Sequence, residues 1–289
     1  MRVFFATSHT EKYVSLLQKE GVENVLFSYA FFKSPIQTRK IFGDYNPKNL
    51  IIDSGAFSVW TRGEEVNIDQ YAYFCEQVKE LFPLCNIYCV NLDVLPGKFG
   101  QRPTQRQVEE SASEGWKNME YLESKGLKVI PVFHQHESFE WLDKLRNHCD
   151  YIGISPANDV SMKEKLNWLN QVFSIIKDTI KTHGFAVTSW EQLYRYPFFS
   201  VDSSSWTSPS RFGSIPVFTD TLKMKVFKYK DKKQVQEVWD YIKDWGIEAL
   251  ASNKWEDRIR LSIKSYLQLH KQANKLWKSR GINQELLED

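Results

Sequence analysis

The run Leu50-Ile51-Ile52-Asp53-Ser54-Gly55-Ala56 decides how this chain is read. An apolar, β-branched stretch ends in a carboxylate and then in residues too small to carry a strand further. The pattern returns in Phe198-Phe199-Ser200-Val201-Asp202-Ser203-Ser204-Ser205. A carboxylate at the end of a buried strand, released into a loop of small residues, is how parallel barrels hold catalytic acids in place. Each Asp alone also reads as the N-cap of a following helix. The recurrence favours chemistry, with one acid as nucleophile and the other handling the proton.

Working outward, strand-like runs fall at 3–6, 24–27, 50–52, 87–91, 128–133, 151–154, 184–187 and 199–201. Helical patterns lie between them near 11–20, 68–81, 105–125, 138–147, 162–181 and 190–196. The 162–181 stretch puts Leu166, Leu169, Val172, Phe173 and Ile176 on one face, as a helix covering a sheet does. Eight strands with helical crossovers predict an α/β fold, a (β/α)8 TIM-like barrel over residues 1–206. An open doubly wound sheet is the alternative, disfavoured because no G-x-G-x-x-G follows an early strand.

Beyond residue 206 the character changes. Pro209, Gly213 and Pro216 precede the alternating Lys223-Met224-Lys225-Val226-Phe227-Lys228-Tyr229-Lys230, which predicts a β-ribbon with lysines on exposed faces. Helices expected over 233–245 and 254–279 complete a basic C-terminal extension, residues 207–289, packed on the barrel.

Of the 289 residues 42% are apolar, enough for a sizeable core. The apolar runs fall far short of the roughly 18 residues of a membrane span. Residues 1–7 read as a first strand and not as a signal peptide, so the expectation is a cytoplasmic protein with no membrane partner. Cys75, Cys85, Cys89 and Cys149 show neither C-x-x-C nor C-x-C spacing, which favours free thiols over a zinc site or disulfide. The net charge of +2 is unevenly spread: residues 221–280 hold 15 Lys/Arg against 7 Asp/Glu, and the remainder 23 against 29. That split points to a polyanionic partner, the plainer reading being a solvated lysine-rich surface.

In such a barrel the C-terminal strand ends gather the active groups. In order these are Asp53, then Asp93 in Asn91-Leu92-Asp93-Val94-Leu95-Pro96-Gly97, His134-Gln135-His136, Ser155-Pro156, Thr188 and Asp202. Polar groups on successive strand ends suit a ligand pocket. A carboxylate can accept from the N1–H and N2–H2 edge of guanine while a glutamine amide donates to O6. Phe57 and Phe185 could sandwich a flat base, core packing being their commoner fate.

These residues also carry a resemblance. The Asp53-Ser54-Gly55-Ala56-Phe57 element, the Asp93 turn, Val132-Phe133-His134-Gln135 and the late Asp202 resemble the tRNA-guanine transglycosylase superfamily in order and spacing. His183-Gly184-Phe185-Ala186-Val187-Thr188-Ser189 with the block from Tyr196 to Trp206 looks most like its phage and bacterial branch, the 7-deazaguanine DNA transglycosylases. The similarity spans roughly residues 1–210. It implies Asp202 as nucleophile, Asp53 as the carboxylate beside the departing base, Asp93 as reader of the guanine edge and Gln135 as the amide facing O6. It also implies His134 beside the base, Ser155 where a family glycine offers its backbone N–H, and Phe57 and Phe185 in the stacking positions.

The tRNA enzymes carry a C-x-C-x-x-C…His zinc element after the nucleophile, and no cysteine follows Cys149 here. The resemblance therefore implies DNA as substrate, no zinc and no cofactor, a 7-deazaguanine base such as preQ0 as co-substrate, and, for a phage-encoded chain, action in the host cytoplasm. Lys223, Lys225, Lys228, Lys230 and Arg211 are the expected phosphate contacts.

Two other readings are set against it. His134-x-His136 with His183 and Asp202 could ligate a metal in a barrel hydrolase, although H-x-H within a strand turns its rings to opposite faces. A queuosine-type enzyme acting on tRNA, or a non-catalytic nucleic-acid-binding protein using the basic region, are the remaining alternatives.

Overall fold

A computed structural model describes residues 1–7, 10–97, 101–157, 159–177, 179–187, 189–218, 224–228, 230–245 and 255–282, and only the backbone of 210 and 211. Thr188, Lys223 and the Arg211 side chain lie outside the described residues.

Nine strands run parallel: β1 (Arg2–Thr7), β2 (Asn24–Ser28), β3 (Asn49–Asp53), β4 (Asn86–Val90), β5 (Val129–Ile130), β6 (Val132–His134), β7 (Tyr151–Ser155), β8 (Lys181–Gly184) and β9 (Ser200–Ser203). Their hydrogen-bonded order is β5-β4-β3-β2-β1-β9-β8-β7-β6. β5 and β6 are halves of one run divided by Pro131, which has no N–H to give the ladder. The two ends of the order are thus contiguous in the chain, and the Pro131 carbonyl accepts from Gly153 N–H at 2.7 Å. The result is a nearly closed barrel, the (β/α)8 architecture expected from the alternation.

The covering helices are α1 (Glu11–Lys19), α2 (Pro35–Phe42), α3 (Ala56–Trp60), α4 (Ile68–Leu81), α5 (Gln105–Ser124), α6 (Phe139–His148), α7 (Met162–Ile176) and α8 (Trp190–Arg195). Thr104 with Gln107 and Ser161 with Glu164 form capping boxes that start α5 and α7. α2 and α3 were not expected. α3 has five residues, too few for a periodic signal, and α2 is announced only by Ser34 as N-cap and Pro35 at its first position. The helix expected to reach 181 stops at Ile176, because Lys177 adopts φ 51°. The strand expected at 184–187 is instead Lys181-Thr182-His183-Gly184, a polar sequence with no apolar run to betray it.

Strand residues alternate between two cores. One face joins the helices in the main core, for example Val25, Phe27, Leu50, Ile52, Ile152 and Ile154. The other fills the barrel with Phe4, Leu26, Ile51, Val90, Ile130, Val132, Tyr151 and Phe199. Parity then fixes the mouth: two residues beyond Ile51 is Asp53, two beyond Val132 is His134, and two beyond Ser200 is Asp202. The two Asp-Ser strand ends therefore face inward at the C-terminal rim.

After β9 come α9 (Ser208–Phe212), an antiparallel ribbon of β10 (Ser214–Phe218) and β11 (Met224–Lys228), then α10 (Lys232–Ile242) and α11 (Trp255–Ser279). Ile215, Val217, Phe227, Val238, Ile242 and Leu261 form a small core of their own. α11 lays Ile259, Ile263, Tyr266, Leu269 and Ala273 into the main core. Trp277 Nε1 donates to Leu193 O at 3.0 Å.

Two features of the basic region differ from expectation. Arg260 and Lys264 both pair with Glu20, and Arg280 donates to Tyr194 O, so part of the C-terminal cation excess ties α11 to the barrel. In β11 the exposed Lys225 and Lys228 fall on opposite faces, and exposed Met224 and Val226 share the face of Lys228. The ribbon lysines do not make one stripe. No described helix is long and apolar enough to cross a membrane.

Candidate active site

A cavity of about 900 Å³ opens at the C-terminal end of the barrel, lined among others by Ser28, Asp53, Phe57, Asp93, His134, Ser155, Phe185 and Asp202. At the upper end of the usual ~300–1,000 Å³ for small-molecule sites, it has room for a nucleotide rather than a base alone.

Asp53 ends β3 against a tight backbone corner. Gly55 holds φ +73°, and a Cβ on it would lie 2.5 Å from Ala30 Cβ and 2.6 Å from Ser28 Oγ. This close approach lets the Ser28 hydroxyl and the Gly55 N–H bond to the Asp53 carboxylate. Burial is the larger influence and, with the charges of Asp202 and Asp93 adding to it, raises the Asp53 pKa to about 6 despite those two hydrogen bonds. Asp53 can therefore carry a proton at near-neutral pH and deliver it.

Asp202 sits differently. Its Oδ1 accepts the N–H of Ala186 at 2.9 Å, which is aimed by a left-handed φ of 54° at a non-glycine residue. Strain of this kind persists where surrounding structure enforces it, commonly at functional sites. His183 Nε2 lies 3.5 Å from the same oxygen. Among the described residues Oδ2 has no recorded partner and belongs to the cavity.

Asp93, in the loop after β4, has Oδ2 3.2 Å from His134 Nε2, while Glu137 Oε1 is 3.1 Å from His134 Nδ1 and Glu137 Oε2 accepts the His134 backbone N–H at 3.1 Å. Burial of the ring opposes its charge, but the charges and hydrogen bonds of Asp93 and Glu137 prevail and raise the His134 pKa well above its ordinary value. Glu137 was missed in the sequence, although its place three residues after His134 is the spacing of a turn that folds back.

Gln135 is not among the lining residues. Its Oε1 accepts the Ala157 N–H at 3.0 Å, and among the described residues its NH2 makes no hydrogen bond. Ser155 lines the cavity, and its carbonyl accepts the Gln135 N–H at 3.1 Å. Phe57 and Phe185 stand at different depths. Phe57 is 51% exposed at the rim. Phe185 lies deeper, over Gly153, where a Cβ would fall 2.5 Å from Phe185 Cε2. Phe31 and Phe212, 51% and 74% exposed, join Phe57 at the mouth. Neither has a motif around it, so only the folded rim reveals them.

His134, His136, His183 and Asp202 do not converge as ligands. His136 is exposed in a turn at φ 94°, and His134 is engaged on both ring nitrogens. Among the described residues the one group of three or more ligand atoms within 4.8 Å of one another is Glu123, His148 and Cys149, at the opposite end of the barrel, where Arg2 also lines the wall.

No protein-family model matches the chain, and no curated protein matches it. Among solved structures it is similar to an L-ribulose 3-epimerase (11% identity, TM-score 0.47, 97% of this chain and 96% of that one). A native KDPGal structure gives 9% identity and a TM-score of 0.44 over 94% and 97%. A mandelate racemase/muconate lactonizing protein from Herpetosiphon aurantiacus gives 12% identity and 0.43 over 78% and 60%. At these identities and scores the likenesses say nothing of the chemistry, and the barrel rests on its own strand order.

Proposed function

We propose that this protein is a guanine transglycosylase, which exchanges guanine in DNA for a 7-deazaguanine base such as preQ0. The observation that carries the reading is the unequal pair of acids lining one cavity: Asp53, half-buried and protonatable near pH 6, and Asp202, held by Ala186 N–H on one oxygen with no bond on the other among the described residues. Environments that separate two carboxylates in this way assign an acid and a nucleophile. The sequence resemblance supplies the substrate class.

The target nucleotide leaves the stack to bring C1′ within reach. Asp202 Oδ2 attacks C1′, the C1′–N9 bond breaks, its electron pair goes to N9, and Asp53 supplies the proton that the departing guanine takes up. The incoming 7-deazaguanine then returns its N9 proton to Asp53, its nitrogen attacks C1′, and the Asp202 ester bond breaks. Asp93 suits the base edge, and so does the NH2 of Gln135, which does not line the cavity and would have to turn toward it. Phe185 suits the base face. Lys225, Lys228 and Lys230, exposed on and beside the ribbon, suit phosphate contacts, with Lys223 and Arg211 as further sequence-based candidates.

The test is incubation of the protein with guanine-labelled single-stranded DNA, duplex DNA or tRNA, each with preQ0, following label release and nucleoside mass. Release from DNA with a mass change is expected, and Asp202→Asn should abolish both the release and any covalent nucleic-acid adduct. Release from tRNA alone would move the substrate to RNA, and release from none by folded protein would end the proposal.

A further inference from the structure

Behind Asp202 lies a buried polar chain that the reaction above does not use. His183 is fully buried on β8. Its Nδ1 lies 2.6 Å from Ser200 Oγ, and Ser200 Oγ is in turn bonded to the Tyr151 hydroxyl. Ser200 is also fully buried, and Tyr151 nearly so. The other ring nitrogen, Nε2, has no hydrogen-bond partner among the described residues and lies 3.5 Å from Asp202 Oδ1. β8 and β9 are register neighbours with His183 opposite Ser200, so the contact is built into the sheet.

If Ser200 Oγ accepted from both neighbours, its own hydrogen would have no acceptor among the described residues and His183 Nε2 would be bare toward the carboxylate. That leaves two directional arrangements of the chain. In one, Tyr151 donates to Ser200, Ser200 donates to His183 Nδ1, and the ring proton stays on Nε2, facing the carboxylate. In the other, every donor reverses. That second arrangement sets a bare Nε2 lone pair against a carboxylate oxygen, and it leaves the Tyr151 hydrogen without an acceptor among the described residues. Both defects fall in a dry interior, where an unmet polar group costs most. Burial also raises the Tyr151 pKa, with the hydrogen bond to Ser200 opposing it, which keeps the phenol a donor.

We infer that Tyr151, Ser200 and His183 form a one-directional relay that fixes the His183 ring with its proton on Nε2, turned toward Asp202. His183 is then a positioning residue. With Ala186 N–H it secures Oδ1 of Asp202 and so presents Oδ2 to the cavity. The tautomer is a property of the protein alone; only its consequence for catalysis rests on Asp202 being the nucleophile.

The test begins with ¹⁵N-labelled full-length protein and no substrate, reading the ring nitrogens of His183 from long-range ¹H–¹⁵N correlations. The expected shifts are those of a protonated Nε2 and a bare Nδ1. A proton on Nδ1, or on both nitrogens, overturns the inference. In Tyr151→Phe and Ser200→Ala the preference should weaken to a mixture of tautomers; an unchanged tautomer in both means that something else sets it. If Ser200→Ala does not fold, Tyr151→Phe, which removes a single oxygen, still decides.

Guanine release supplies the second readout. Partners that orient a metal-bound histidine are worth about 10–100-fold, and Tyr151→Phe is expected to lower kcat by a similar factor with KM unchanged. An Asp202→Asn variant that releases guanine at the wild-type rate would defeat the proposed function and leave the ring shifts to judge the relay. An inactive Asp202→Asn beside a Tyr151→Phe with wild-type kcat would defeat the positioning role of His183, with the ring shifts still deciding the tautomer.

Discussion

Asp93 Oδ2 and His134 Nε2 are 3.2 Å apart, and the far side of the same ring is held by Glu137. Both nitrogens face carboxylate oxygens, an arrangement that suits an imidazolium. One Asp93 oxygen is thereby engaged by the ring. The His134 pKa is raised above its ordinary 6.5 because the two carboxylates outweigh the opposing burial. A raised folded-state pKa contributes stability that is complete below the unfolded value and lost as pH climbs through the folded one. The melting temperature should therefore decline on the alkaline side of pH 6.5, and His134→Gln should flatten that decline. Parallel pH profiles for the two proteins would argue against the charged ring.

Asp53 shifts stability with pH in the same direction, but as a growing cost instead of a lost gain. Burial raises its pKa to about 6 from 3.8, so the folded protein bears the cost of an ionised buried carboxylate above pH 6 and is free of it below 3.8. Relative to wild type, the melting temperature of Asp53→Asn should rise between pH 4 and pH 7. Guanine release should fall in wild type as pH passes about 6, since the proton to be delivered is gone. A pH-independent difference in melting temperature would show that Asp53 titrates normally.

Gly153→Ala tests the cavity floor. The new methyl would meet Phe185 Cε2 at 2.5 Å and Val132 Cγ2 at 3.1 Å, so the ring must be pushed into the space offered to a base. Overpacking of this kind costs about 1–3 kcal/mol. The expected result is a moderately lowered melting temperature with a disproportionate rise in KM for preQ0. Unchanged KM would place the base elsewhere.

If the proposed function holds, the aromatic rim and the ribbon lysines should make separable contributions to nucleic-acid binding. Stacked bases are worth about 1–3 kcal/mol per aromatic contact, so Phe57→Ala or Phe212→Ala should weaken binding of a fluorescent single-stranded oligonucleotide about 5- to 150-fold while leaving the melting temperature nearly unchanged. Replacing Lys225, Lys228 and Lys230 with Ala should instead flatten the salt dependence, by about 2 in the log–log slope if all three touch phosphate. Rim variants that bind as wild type would take Phe57 and Phe212 out of the interface.

Much of this was legible before folding. The Asp53 and Asp202 strand ends were visible because both follow apolar runs, and parity alone turns them into the barrel. β8 was misplaced because Lys181-Thr182-His183-Gly184 spends its inward position on a buried histidine, so its strand has no hydrophobic signature. The same polar inward position creates the His183–Ser200 contact. Gln135 was expected on the wall, but Ala157 N–H, 22 residues away in sequence, holds its oxygen and Gln135 does not line the cavity. Contacts of that range leave no local trace, and the same holds for the gathering of Phe31, Phe57 and Phe212 from three separate loops and helices.

Pro131 carries a further consequence. Val129 and Ile130 pair with β4, Val132 to His134 pair with β7, and the residue between them cannot donate to either side. The wall is in effect a ribbon rolled until its two margins meet at a single imino acid. New chain ends between Ile130 and Pro131 would leave the Pro131 carbonyl on the Gly153 N–H, so a circular permutant opened there should keep its ladder intact. Amides of Val129 and Val132 should exchange with solvent sooner than those of Ile51 and Ile152, making this hem the first part of the cylinder to come undone.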